Sequence, residues 1–264
     1  MLDFTINAYR KYLDAIRISY PNIMLFTEYL NAKIKPTTFC MIRHDVDRMP
    51  KRALKMALIE KDMGIKATYY FRTKKYTFKP DIIRKIFRAG HEIGYHYENL
   101  SDDKGNISLA LKDFEINLSS LRNIVPIRTI AMHGSPFSKQ DNRDIWRKPY
   151  YHQYLLDQCD ILGEVYLDIN YEHIAYINDT GRNWSSSKAN VRDKVSSSIQ
   201  VDFRSGDDLL HFLTNKGAPR LIFQIHPERW TDNNLDYFLS YYIDATANYL
   251  KKVQHSFAPT KLKV

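Results

Sequence analysis

The chain has 264 residues, 44% of them hydrophobic, which suits one large α/β domain or two small ones with a buried core and excludes a disordered chain. Its formal net charge of +9 favours anionic partners, but the basic residues are scattered. Only short clusters such as Lys51-Arg52 and Arg72-Thr73-Lys74-Lys75 occur, without a nucleic-acid motif, so nucleic acid is not an expected partner; Cys40 and Cys159 are too few for a disulfide framework or a zinc knuckle.

The opening residues Met1-Leu2-Asp3-Phe4-Thr5-Ile6-Asn7 lack the basic start and the roughly 7–15-residue apolar core of a secretory signal, and no run approaches the ~18–20 apolar residues of a membrane span. The expected location is the cytoplasm, free or peripheral at the inner membrane. Tyr9 to Leu30 reads as helical, broken by Pro21, and residues 1–33 are expected to form a helical segment packed on the main domain, residues 34–264. Apolar or β-branched runs then recur at Thr37–Ile42, Ala67–Phe71, Glu92–Tyr97, Ile127–Met132, Glu164–Ile169, Ala175–Ile177 and Leu221–Ile225. Helical patterns fall between several of them, at Pro50–Met63, Lys79–Ala89, Ile107–Asn123 and Ser205–Asn215. Such alternation predicts parallel strands with crossover helices, as an α/β barrel or an open sheet. Trp184–Gln200, with its two serine triplets, reads as a long polar loop, mobile over the site.

In either architecture ligands sit at the carboxyl ends of the strands. Asp45 and Asp47 follow the first run, His96 and Glu98 the third, His133 the fourth, Asp179 the sixth and His226 the last. In an extended segment Asp45 and Asp47 point the same way, with Cβ atoms roughly 6–7 Å apart. That separation lets one carboxylate hold a metal ion while the other handles a proton.

Four strings suggest a family. His44-Asp45-Val46-Asp47, Gly64-Ile65-Lys66-Ala67-Thr68-Tyr69-Tyr70-Phe71, Gly90-His91-Glu92-Ile93-Gly94-Tyr95-His96 and Ile225-His226-Pro227-Glu228, in this order across residues 37 to 230, resemble the polysaccharide deacetylases of carbohydrate esterase family 4, with their NodB-like homology domain. The resemblance implies a distorted (β/α)7 barrel of about seven parallel strands with outer helices, and metal-dependent hydrolysis of an N-acetyl group on a sugar. It makes Asp45 the general base, Asp47 and His96 metal ligands, and His226 the general acid. His91, although inside its motif, opens its strand at the wrong end for the site.

The departures matter as well. The family's second metal histidine falls four residues after the first, and position 100 is Leu. The third ligand is therefore open between His133, which is preferred, and Glu98, which otherwise faces substrate. Two histidines and one carboxylate suit a divalent ion, zinc first. The arginine that the family sets beside the base has no direct match, and Arg43, on the strand face of Asp45, is the expected replacement. Asn178-Asp179-Thr180-Gly181-Arg182-Asn183-Trp184 resembles the family's Asp-and-Trp motif, so Asp179 is expected to orient His226 and Trp184 to line the pocket. Arg182 is then free for a carboxylate or phosphate, and Trp230 faces a sugar. For both tryptophans the other reading is a packed aromatic. Most of the 19 tyrosines read as core, with Pro149-Tyr150-Tyr151 a loop able to stack on sugars.

The expected function is deacetylation of an N-acetylated sugar, nucleotide-linked, lipid-linked or polymeric, in the making of a bacterial surface polysaccharide such as O-antigen, capsule or lipopolysaccharide. The alternatives are an inactive relative that binds a glycan or a protein partner, and hydrolysis of another amide or an ester. Oligomeric state is not read from the sequence.

Overall fold

The alternation of runs becomes an alternation of elements in a computed structural model that describes residues 2–184 and 192–256. In chain order these are α1 (Ile6–Ser19), α2 (Phe26–Asn31), β1 (Phe39–Val46), α3 (Pro50–Asp62), β2 (Thr68–Phe71), α4 (Pro80–Arg88), β3 (Glu92–Tyr97), α5 (Asn99–Asp102) and α6 (Ile107–Arg122). There follow β4 (Thr129–Met132), α7 (Pro149–Asp157), β5 (Gly163–Glu164), β6 (Ala175–Asn178), α8 (Gly206–Thr214), β7 (Arg220–Ile225) and α9 (Asn234–Ser256). Local chemistry explains the starts: Thr5, Asn106 and Ser205 accept the free N–H groups of α1, α6 and α8, while prolines open α3, α4 and α7.

The seven strands form one parallel sheet in the order β5-β4-β3-β2-β1-β7-β6. It curls into a distorted (β/α)7 barrel, with no pairing between β5 and β6 among the described residues. Two apolar layers hold it. Phe39, Met41, Tyr70, Ala131, Val165 and Ile222 fill the interior with Phe26 and Tyr29 of α2, while Cys40, Ile42, Val46, Tyr69 and Phe223 pack outward against helices that include α1. Gly94 of β3 makes room for the interior: a Cβ there would stand 2.2 Å from the ring of Tyr70.

Two expectations need correction. The run Glu164–Ile169 pairs only at Gly163–Glu164, because the Glu164 carboxylate accepts the N–H groups of Tyr166 and Leu167 and turns the chain away. Pro149-Tyr150-Tyr151 starts α7 rather than a loop. The long α9 was not expected at all. Of the predicted loop Trp184–Gln200, residues 185–191 lie outside the described residues, and residues 192–200 contain no helix or strand.

Candidate active site

Strand alternation sorts the side chains of β1. Phe39, Met41, Arg43 and Asp45 face the barrel interior, and His44 faces outward, where its Nε2 lies 2.6 Å from Glu60 of α3. Thr129 and Ala131 of β4 and Ile222 of β7 share that interior, which brings His133 and Gln224-x-His226 to its upper rim. His91 goes the other way. Its Nδ1 accepts from Ala67 N and its Nε2 reaches Ala57 O, and burial lowers its pKa.

The Arg43 guanidinium holds Asp45 with two bonds, of 2.7 and 2.8 Å, and Gln224 Nε2 donates a third at 2.6 Å. Burial alone would raise the pKa of Asp45, but Arg43, His96 and His226 outweigh it and hold the carboxyl below its ordinary range. Arg43 is itself fully buried, so it orients the carboxylate and does not reach a ligand.

Asp47 lies past the end of β1, facing two imidazoles: His96 Nε2 at 3.3 Å from Oδ1 and His133 Nε2 at 3.5 Å from Oδ2. His96 Nδ1 donates to Ala131 O at 2.9 Å, which leaves a lone pair on Nε2 aimed at Asp47. Asp47 Oδ1 is buried without a hydrogen-bond partner. Two lone pairs face each other there unless a cation or a proton lies between them. Two donors on a tetrahedral ion at ~2.1 Å are about 3.4 Å apart, close to both separations. Among the described residues no three such groups are already closed around a metal position. The donor chemistry and the pairwise distances nevertheless fit a divalent ion held by Asp47, His96 and His133.

Glu98 has another task. Arg72 clasps it with two bonds of 2.7 Å, and its Oε2 lies 3.1 Å from His133 Nδ1. Burial opposes its ionisation, but His133 and Arg72 bring its pKa down to about 2. It therefore supports His133 from behind rather than facing substrate. His133 is pushed down by burial and up by Asp47 and Glu98, and ends at about 9. A proton held that tightly by two carboxylates marks a position that a cation competes for. Asp47 and His133 keep 18% and 14% of their side-chain surface, so the cleft opens on their side.

Across the cleft, His226 Nδ1 lies 2.6 Å from Asp179 Oδ1, and the His226 N–H donates to Asp179 Oδ2 at 3.0 Å. Burial and Arg229 push the imidazole down, yet Asp179 raises it overall. Asp179 is held at about 2 against burial by Arg229 and His226. The structure thus joins a carboxylate held toward its ionised form, Asp45, and an imidazole whose pKa is raised, His226, at the rim of one barrel.

Three expected substrate contacts are turned away. Trp184 stacks on Phe4 at 5.2 Å and lies in the outer core. Trp230 is buried beside it, and its Nε1 donates to Asp179 Oδ2 at 2.8 Å, so it steadies Asp179 instead of meeting a sugar. Arg182 is buried and donates to Asp244 of α9 at 2.8 Å, which leaves it no access to an anionic ligand. Each loses its solvent-facing role to an aromatic or charged partner distant in sequence.

The structure adds residues to which the sequence assigned no role. Tyr176 of β6 donates to Gln224 at 2.5 Å and so supports Asp45 through it; it also lines a cavity of about 230 Å³ with Asn178, Asp193 and Lys194. Glu228, buried near Asp47, has its pKa raised to about 7 by burial and by that carboxylate. Gln224 was legible only as a polar residue inside an apolar strand run.

No protein-family model and no curated protein matches the chain. Among solved structures it is similar to a family 4 carbohydrate esterase of Streptococcus mutans, at TM-score 0.47 and 11% identity over 89% of this chain and 87% of that one. A family 4 pseudoenzyme of Bacillus anthracis matches at TM-score 0.40 and 15% identity over 81% of this chain, which spans only 60% of the pseudoenzyme. A peptidoglycan deacetylase of Bacillus subtilis matches at TM-score 0.37 and 10% identity over 84% of this chain and 98% of that one. These are likenesses of loose outline.

Proposed function

We propose that the chain is a divergent member of the family 4 carbohydrate esterases, a metal-dependent hydrolase that removes the acetyl group from the nitrogen of a sugar. The observation that carries this reading is the rim of the barrel, where Asp45, the Asp47-His96-His133 set and the His226-Asp179 pair meet. Asp47, His96 and His133 would hold the ion, zinc first among candidates. When bound, such an ion polarises a carbonyl and favours hydroxide over water. Asp45, kept ionised by Arg43, takes the proton of the attacking water. His226, whose pKa Asp179 raises, delivers a proton to the departing amine, which is otherwise a poor leaving group.

The alternative of a glycan-binding relative without hydrolysis arose from Leu100, and His133 weakens it by bringing a second imidazole to Asp47. The proposed substrates are cytoplasmic N-acetylated sugars, nucleotide-linked, lipid-linked or on a growing surface polysaccharide, handled at the inner membrane face. The test pairs two variants with metal analysis and acetate release from N-acetylated and O-acetylated sugars. Asp45→Asn is expected to lower turnover by about 10²–10⁴ and keep the metal, and Asp47→Asn to lose both. If the variants behave alike, the division of roles is wrong; if the wild-type chain takes up no divalent ion on titration, the hydrolase reading fails.

A further inference from the structure

Helix α9 is amphipathic in the wrong sense for a helix on a protein core. Its inward side sets Tyr237 against the core beside two polar contacts, Ser240 Oγ accepting from Arg52 and Asp244 from Arg182, while Asp236 at its flank pairs with Arg52 at 3.1 Å. At 3.6 residues per turn, Leu235, Phe238, Leu239 and Tyr242 fall within an arc of about 100° on the side opposite Tyr237, Ser240 and Asp244. They are exposed by 69%, 58%, 53% and 67%. At the flank of this face, Asp236 lines a groove of about 650 Å³ with Met49, Pro50, Tyr76, Pro80 and Ile82, and Lys51 and Lys79 line the same groove. The groove adjoins the cleft, since Met49 is two residues beyond Asp47 and Thr77 Oγ1 donates to Asp47 O at 3.2 Å.

The rim of this surface decides what covers it. Arg52, Lys55 and Arg84 are paired with Asp236, Asp232 and Asp81, whereas Lys51, Lys75 and Lys79 are exposed and carry no ion pair among the described residues. A second copy docked face to face would gather two sets of these unpaired lysines into one interface, an unfavourable concentration of like charge. An anionic bilayer neutralises them and accepts leucine, phenylalanine and tyrosine at headgroup depth. Among the described residues no helix is long and apolar enough to cross a membrane, so the contact is one of seating.

We infer that the outward face of α9 and the adjoining groove seat the protein on an anionic lipid surface, with the mouth of the cleft beside the headgroups. The inference rests on the membrane-side location proposed above and on none of the chemistry, so vesicle binding and acetate release fail separately. The experiment is flotation of the full chain with phosphatidylcholine vesicles with and without phosphatidylglycerol, at low and high salt, alongside its oligomeric state by light scattering. Binding is expected only with phosphatidylglycerol, falling roughly a hundredfold in the triple variant Lys51→Glu, Lys75→Glu, Lys79→Glu. Phe238→Ser with Leu239→Ser is expected to abolish binding without changing turnover of a soluble substrate or the melting temperature, because both side chains are exposed. Absence of binding to anionic vesicles overturns the inference. So does a dimer that the Phe238 and Leu239 substitutions dissociate, which would make the face a contact between copies.

Discussion

Replacing Asp45 by Asn tests the site and the fold together. Asp45 accepts three donors, two from Arg43 and one from Gln224, inside the barrel, and Arg43 Nη1 already lacks a partner. A neutral amide there leaves a buried guanidinium without its counter-charge and turns an N–H₂ group toward other donors. Breaking a buried pair from one side costs about 3–5 kcal/mol. At about 2–4 °C per kcal/mol for a domain of this size, the melting temperature should drop by about 6–20 °C. Removing the guanidinium as well, in Arg43→Met with Asp45→Asn, takes away the uncompensated charge and should restore most of that loss, because apolar replacement of both partners is often neutral. Turnover should stay down by about 10²–10⁴ in both, as expected for loss of a general base. Thermal melts and urea unfolding give the stabilities, acetate release the turnover. If Asp45→Asn melts with the wild type, or the double variant is less stable than the single, the buried pair is not what holds Asp45.

The pH profile follows from two opposite shifts. Asp45 is held below the ordinary carboxylate pKa of about 3.9, so the base stays ionised down to that value and the acid limb should report protons competing with the metal at His133; His226 is raised above about 6.5, so activity should fade as pH climbs through its elevated pKa. Asp179→Asn removes the group that raises His226 and leaves burial and Arg229, which lower it, so the alkaline limb of kcat/KM should move to lower pH; an unmoved limb refutes the pairing. Glu98→Gln should weaken metal affinity about 10–100-fold, measured by chelator competition, because it deprives His133 Nδ1 of its carboxylate; unchanged affinity removes Glu98 from the site, and complete loss of binding makes it a ligand. Trp184→Ala should cost about 3–5 kcal/mol in urea unfolding with KM unchanged, and a raised KM at unaltered stability would return Trp184 to the pocket wall.

The strand ends were readable because β-structure has a period of two and a barrel puts ligands at one rim. That logic took Asp45, His96, His133 and His226 from separate apolar runs to one cleft, and the local start signals at Pro50 and Ser205 bounded two helices. It failed where a distant partner overrode local character. Glu164 looked like the start of a strand, but its carboxylate caps the following N–H groups and bends the chain. Trp184, Trp230 and Arg182 looked like a ligand-facing string, and Phe4, Asp179 and Asp244 draw them inward. Neither the orphaned Oδ1 of Asp47 nor the grip of Arg72 on Glu98 has any trace in local pattern.

Period and chain order alone therefore determined the parallel α/β architecture and the set of titratable side chains available at its open end, since both depend on which face each residue takes. Which of those side chains meet, and in what ionisation state, was decided only by the tertiary structure. Partners from β1, β3, β4 and β7 supply the charges, and burial in the barrel sets how strongly those charges act.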